Sequence, residues 1–117
     1  EYEEGFTWLK NHLTLNDVVL SSGTTGSFIA GFAAKRVYYG HWVETVKGEE
    51  KKANLRWFFG SLASDQEKHD FLIKENITYI YYSEFEKAYG AYNLAEKGFL
   101  EPVFSQEKVL IYKVLPR

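Results

Sequence analysis

The side chains best suited to chemistry in this chain directly follow a predicted strand in its first half. They supply an imidazole, an indole, a carboxylate and a hydroxyl: His41, Trp42, Glu44 and Thr45. The segment before them, 37–39, contains valine and two tyrosines, which is typical of a strand. Because binding and catalytic groups are concentrated on loops that a rigid scaffold positions, we take these four residues as the candidate functional loop.

Acid–base catalysis and metal binding are the two chemistries that this loop suggests. His41 and Glu44 are three residues apart, a spacing that places two side chains on one face of a helix. Catalytic zinc usually has three protein ligands, and the loop has no third ligand at metal spacing. The other histidines, His12 and His69, fall in predicted helices far along the chain. The sequence therefore predicts no metal and no cofactor.

A structural role is the alternative for the same loop. His41 and Thr45 would hold its backbone by hydrogen bonds, while Trp42 would fill a gap over the sheet. Covalent catalysis has no support, because the chain has neither a cysteine nor a Gly-x-Ser-x-Gly nucleophile motif. We therefore assign no catalytic residue.

The second candidate site is a glycine-bearing turn formed by Gly23, Thr24, Thr25 and Gly26. It precedes a predicted helix, whose free amides and positive dipole end could hold a phosphate or a carboxylate. The turn is not a P-loop, because no Gly-Lys-Ser/Thr follows, and it lacks the G-x-G core of dinucleotide-binding loops. A structural turn with threonine capping is the alternative.

Composition predicts one folded domain that does not bind nucleic acid. The chain has 117 residues, of which 45% are hydrophobic, enough to bury a core without disulfides. Its net charge is −2, with basic and acidic residues interspersed, so no polyanion-binding surface is predicted. No apolar run reaches the roughly 20 residues that cross a bilayer. Because methionine is absent even at position 1, we expect a single soluble domain, residues 1–117, excised from a longer chain.

The first half of the chain predicts a βαβ unit. A short amphipathic helix over 3–12 leads into an apolar strand at 18–20, and a small helix over 27–34 leads to the strand at 37–39. Such crossover connections are right-handed, so we expect these two strands to be parallel.

The second half continues the alternation of helices and strands. Helices are predicted over 49–60 and 64–76, the second opening with a capping box, and a strand at 77–82. A helix over 85–97 and a hairpin over 103–114 complete the chain. The predicted fold is a three-layer α/β domain with a short, mostly parallel central sheet and a C-terminal antiparallel hairpin.

Four segments resemble a known family: 17–22, 25–45, 51–59 and 76–86. They are similar to the soluble C-terminal domain of bacterial multi-spanning membrane proteins related to polyprenyl-phosphate-dependent glycosyltransferases, the mannosyltransferase-like membrane superfamily. The Gly-His-Trp sequence and the Glu-Thr pair after it are the most specific part of the resemblance.

The resemblance implies a location and partners. Such domains follow the last membrane helix and face the extracytoplasmic side, where the lipid-linked sugar is used. The implied partners are the transmembrane region of the parent chain and a lipid-linked sugar or acceptor. The superfamily's catalytic carboxylate belongs to a loop between early membrane helices, so this fragment would not catalyse transfer alone. It would cover the membrane active site or help position the acceptor, with the candidate functional loop facing that site.

Two other functions stay open. One is a small-ligand or anion-binding module that uses the turn at 23–26. The other is a protein-interaction domain whose aromatic surface docks on a neighbour, which predicts an exposed apolar patch. A free-standing enzyme is the weakest alternative, because the sequence lacks a nucleophile–base pair, a cofactor fingerprint and a metal triad.

Overall fold

A computed structural model describes residues 2–40, 47–60 and 62–116, in which helices and strands alternate. The helices are α1 (Tyr2–His12), α2 (Gly23–Phe28), α3 (Gly48–Phe59), α4 (Asp65–Lys74) and α5 (Glu84–Lys87). A π-helical segment, Ile29–Ala33, continues α2. The strands are β1 (Val18–Leu20), β2 (Arg36–Val37), β3 (Tyr79–Tyr82), β4 (Leu100–Ser105) and β5 (Leu110–Val114). The predicted α/β class is confirmed.

The strands form one mixed sheet in the order β2-β1-β3-β5-β4. β1 is parallel to both β2 and β3, whereas β5 is antiparallel to both β3 and β4. The sheet is therefore mixed: β2, β1 and β3 are parallel neighbours, as predicted, and the two C-terminal strands add antiparallel pairs at one side. The reason is that the last two strands are joined by a tight turn, in which Gln106 N donates to Val109 O at 2.8 Å, and β5 then pairs with β3 along the whole of that strand.

Both faces of the sheet are buried under helices. Consecutive strand residues point to opposite faces and therefore belong to different clusters. Val19 packs with residues of α1 and the π-helical segment, while its neighbour Leu20 packs with residues of α3 and α4. In β3, Tyr81 and Ile80 divide between the same two clusters. Helices therefore cover the sheet from both sides. No helix within 2–40, 47–60 and 62–116 is long and apolar enough to cross a membrane.

The helix after β1 begins earlier than predicted. Residues 23–26 are the first turn of α2, not a separate turn before a helix at 27. Ser22 lies just before the helix and its Oγ accepts from Thr25 N at 3.1 Å, which satisfies one of the free amides of the first turn. The segment ends at Ala34, whose left-handed φ of 56° stops the helical hydrogen-bonding pattern.

The helix predicted over 85–97 is wrong beyond its first turn. Only Glu84–Lys87 is helical. Gly90 lies against the end of α3, so closely that a Cβ added to it would be 2.5 Å from Phe59 O. Tyr92 N donates to the same carbonyl at 3.0 Å. The chain therefore leaves the helical conformation after Lys87 and packs against the end of α3.

Candidate functional site

The carboxyl ends of β1, β2 and β3 lie at one edge of the sheet, because the three strands are parallel. We call this the carboxyl edge. β1 continues there into Ser21 and Ser22, β2 into the segment 38–40, and β3 into Ser83. In open α/β sheets, ligand sites form outside this end of the strands, and the carboxyl edge is therefore the candidate functional site.

The candidate functional loop starts from this edge. His41, Trp42, Glu44 and Thr45 themselves lie outside the described residues. Gly40, the described residue before them, is buried and follows β2. The prediction that these four side chains are functional stays a prediction, with the carboxyl edge as the place where the loop starts.

The other candidate site lies beside the entrance to that loop. A Cβ added to Gly26 would be 2.0 Å from Tyr39 O and 3.3 Å from Gly40 Cα, so glycine is needed for this close packing. The first turn of α2 thus contacts the backbone that leads into the candidate functional loop. The structure brings the residues of one predicted site next to the start of the other.

Three amides near the start of α2 have partners within the protein. Ser22 N donates to Glu86 Oε2 at 2.7 Å, and Thr25 N donates to Ser22 Oγ. Gly26 N donates to Ser22 O at 2.8 Å, as in a regular helix. The Glu86 carboxylate thus binds beside the helix start, where an external anion was predicted. A free anion would compete with these contacts, and anion binding by Gly23, Thr24, Thr25 and Gly26 remains a prediction.

Glu86 joins two connections of the carboxyl edge. It is fully buried. Besides the bond from Ser22, its Oε1 accepts from Ser83 N at 2.7 Å and from Ser83 Oγ at 2.5 Å. A buried carboxylate needs such donors, because it has lost its hydration. The side chain therefore links the β1–α2 connection to the β3–α5 connection.

Glu86 was not among the predicted site residues, although the sequence contains a signal for part of its role. Ser83 and Glu86 have the Ser-x-x-Glu spacing of a capping box, and the structure has both reciprocal bonds of that motif. The bond to Ser22, 64 residues earlier in the chain, has no local sequence signal.

The titratable side chains of β3 stay protonated at neutral pH. Burial raises the pKa of Tyr81, and the nearby Glu86 carboxylate adds to the effect. Burial also raises the pKa of Tyr82. Both hydroxyls donate to backbone carbonyls, Tyr81 to Tyr2 O and Tyr82 to Tyr92 O. These groups can hold structure by hydrogen bonding, but they are poor general bases.

The described histidines lie away from the carboxyl edge. The His12 ring is hydrogen-bonded to Trp8 O within α1, and the His69 ring to Leu115 O after β5. In the described parts of the chain, no three His, Asp or Glu side chains are grouped as metal ligands would be. The described residues at the carboxyl edge hold the start of the loop in place by hydrogen bonds and close packing.

No family model and no curated protein matches this sequence. A solved structure does. The fold is similar to that of the C-terminal globular domain of oligosaccharyltransferase from Archaeoglobus fulgidus. The TM-score is 0.74 at 16% sequence identity, and the match covers 97% of this chain and 96% of that one. At this identity the likeness establishes the fold, and it spans nearly the whole length of both chains.

Proposed function

We propose that this chain is an accessory domain of a membrane-bound glycosyltransferase that uses a lipid-linked sugar, and that it is not catalytic alone. The observation that carries the proposal is the nearly full-length similarity to the C-terminal globular domain of an oligosaccharyltransferase. Segments such as 25–45 also resemble mannosyltransferase-like membrane proteins of bacteria. This resemblance is a sequence argument for the same kind of parent, separate from the similarity of fold.

In this proposal the carboxyl edge faces the active site of the parent from the extracytoplasmic side. Glu86 and Gly26 fix the connections of that edge, and the candidate functional loop starts beside them. His41, Trp42, Glu44 and Thr45 would cover the membrane-embedded site or help position the acceptor. The partners are then the transmembrane region of the parent and its lipid-linked sugar or acceptor, and the transfer chemistry itself belongs to the parent.

Anion binding at the start of α2 is the weaker candidate, because the Glu86 carboxylate is already hydrogen-bonded there. Calorimetric titration of the chain with inorganic phosphate and sugar phosphates tests it. Saturable binding of phosphate or a sugar phosphate would favour this function over the accessory one.

The direct test uses the full-length parent with the substitutions His41→Ala and Glu44→Ala. Sugar transfer in isolated membranes should fall by about tenfold or more, because misplaced positioning groups have effects of this size. Protein level and melting temperature should not change. The matched controls are His12→Ala and Glu101→Ala, which are exposed and lie towards the opposite, amino edge of the parallel strands. They should transfer at the normal rate. Normal transfer by both loop variants would refute the proposed role of the loop.

The coding sequence upstream of Glu1 tests the membrane parent separately. Several spans of about 20 apolar residues are expected there. An upstream region without such spans would contradict the proposal and favour a ligand-binding module.

A further inference from the structure

An apolar groove opens between α1, α2 with its π-helical continuation, and α5. We call it the phenylalanine groove. Its volume is about 450 Å³, and Phe6, Phe28, Phe32 and Phe85 line it, together with Tyr2, Glu3, Thr24 and Thr25. Three of these rings are strongly exposed for phenylalanine, Phe28 at 51%, Phe32 at 55% and Phe85 at 43%. Clustered aromatic exposure of this kind marks interaction sites in folded proteins.

The rings of the groove are held in place by contacts with the core. Phe6 stacks on the fully buried Tyr81 with ring centroids 5.3 Å apart. Phe28 and Phe32 lie 6.3 and 6.0 Å from Phe6. The groove is therefore preformed, and a ligand would bury apolar surface with little loss of side-chain entropy.

The charged groups at the groove are acidic. Glu3 is the charged residue among those that line it. The hydroxyl of Tyr2, another lining residue, donates to Glu84, the residue next to Phe85. No lysine, arginine or histidine is among the described residues that line the groove. The site thus combines apolar rings with neighbouring acidic side chains.

We infer that the phenylalanine groove binds a polypeptide segment that carries apolar side chains next to a lysine or arginine. A second copy of this chain fits less well, because a twofold contact through this patch would bring the Glu3 and Glu84 side chains of both copies together. A bilayer surface fits less well, because membrane-surface helices present lysine and arginine around their apolar face. Aromatic rings take up apolar side chains, and the carboxylates would select the adjacent cation. The inference goes beyond the proposed function and does not depend on it.

Fluorescence anisotropy with two labelled peptides tests this inference. Both peptides have the same leucine–alanine centre, one with lysines at both ends and one with glutamates. The chain should bind the lysine-flanked peptide at least about tenfold more tightly than the other. Phe32→Ser should weaken that binding about tenfold, because a half-exposed ring loses its contact with the peptide. The control Leu62→Ser, which removes a fully exposed leucine from the α3–α4 connection, should change nothing.

Glu3→Lys serves as a second variant that excludes a folding artefact. Glu3 is exposed, and the variant should bind the glutamate-flanked peptide more tightly than the natural chain does. A misfolded chain would not show such a gain. Circular dichroism and melting curves confirm that each variant is folded. Equal affinity for both peptides, or an unchanged affinity in Phe32→Ser, would overturn the inference. So would binding to phosphatidylcholine–phosphatidylglycerol vesicles without binding to peptide, or self-association that Phe32→Ser abolishes.

Discussion

Among the residues that the structure describes, the charged side chains of Glu86 and Lys68 are completely buried, and their surroundings differ. Glu86, at the carboxyl edge, accepts hydrogen bonds from two backbone amides and one hydroxyl. Lys68, in α4, donates to Gly60 O and lies 3.3 Å from the centroid of the Tyr92 ring. Burial lowers the pKa of Lys68 to about 8, partly offset by the nearby Asp65 carboxylate.

Glu86 is a buried charge that connects two segments of the site, whereas Lys68 is a buried charge that fills space in the core. The donors around Glu86 belong to two chain connections, so the carboxylate holds those connections together. The carbonyl and ring around Lys68 only partly replace water, which is why its charged form is disfavoured. Removal of the two side chains should therefore have opposite effects on stability.

The largest expected effect is that of Glu86→Ala. It leaves the buried amides of Ser22 and Ser83 without their acceptor, and we expect the free energy of unfolding to fall by about 3 kcal/mol or more. Urea unfolding measures this change. The control is Glu84→Ala on the same short helix, where the side chain is exposed and the loss should stay below about 1 kcal/mol. Equal losses in the two variants would remove the distinction between the buried carboxylate and a surface one.

Gly26→Ala tests the close packing between α2 and the 39–40 segment at the carboxyl edge. The new methyl group would collide with Tyr39 O, and we expect a loss of roughly 2 to 3 kcal/mol in the free energy of unfolding. Gly31→Ala is the matched control within the π-helical segment, because a Cβ there meets no atom within 4 Å. It should raise stability by about 0.5 kcal/mol. A Gly26→Ala variant as stable as Gly31→Ala would show that α2 and the 39–40 segment are not closely packed.

Stability should rise with pH because of Lys68. Its pKa is about 8 in the folded state, below the ordinary value of 10.5, so between these values the unfolded chain holds a proton that the folded chain has lost. The free energy of unfolding should therefore increase by roughly 1 to 2 kcal/mol from pH 7 to about 9.5. Lys68→Met should abolish this rise and be at least as stable as the natural chain at pH 7. Lys10→Met, at an exposed position of α1, should keep the rise. A flat profile in the natural chain would contradict the contrast between the two buried charges.

Tyr92→Phe gives the smallest expected effect. The Tyr92 hydroxyl donates to Asp65 Oδ1 at 2.7 Å, and this bond lowers the pKa of the Asp65 carboxyl. The variant keeps the ring over Lys68, and we expect a loss of about 0.5 to 1 kcal/mol. Titration followed by NMR should show the Asp65 pKa move up toward its usual range. An unmoved Asp65 pKa would mean that the hydroxyl does not hold that carboxylate.

Elements that depend on neighbouring residues could be predicted from the sequence. The apolar run at Val18–Leu20 and the aromatic run at Tyr79–Tyr82 both form strands. Ser64 caps α4 as predicted, with its Oγ accepting from Glu67 N and the Glu67 side chain accepting from Ser64 N. These signals are local because their hydrogen bonds and side-chain alternation lie within a few residues.

Features that depend on distant contacts could not be predicted. The start of α2 at Gly23 is coupled to Glu86 through Ser22, and the end of α5 depends on Gly90 packing against Phe59. Lysine is usually exposed. The Tyr92 ring that covers Lys68 is 24 residues further along the chain, and the sequence around Lys68 does not indicate this contact. That β1, β2 and β3 end at one edge of the sheet could be predicted from their expected parallel arrangement, whereas the hydrogen bond from Ser22 to Glu86 could not.

Photo-crosslinking in the full-length parent tests whether the carboxyl edge faces the membrane-embedded part of a glycosyltransferase, as we propose. Trp42 and Leu15 are replaced in turn by a photoreactive phenylalanine analogue. Leu15 is 84% exposed and precedes β1, at the amino edge. We predict crosslinks from position 42 to the parent's membrane region and none from position 15. Crosslinks from position 15 alone would refute the proposed orientation of the domain.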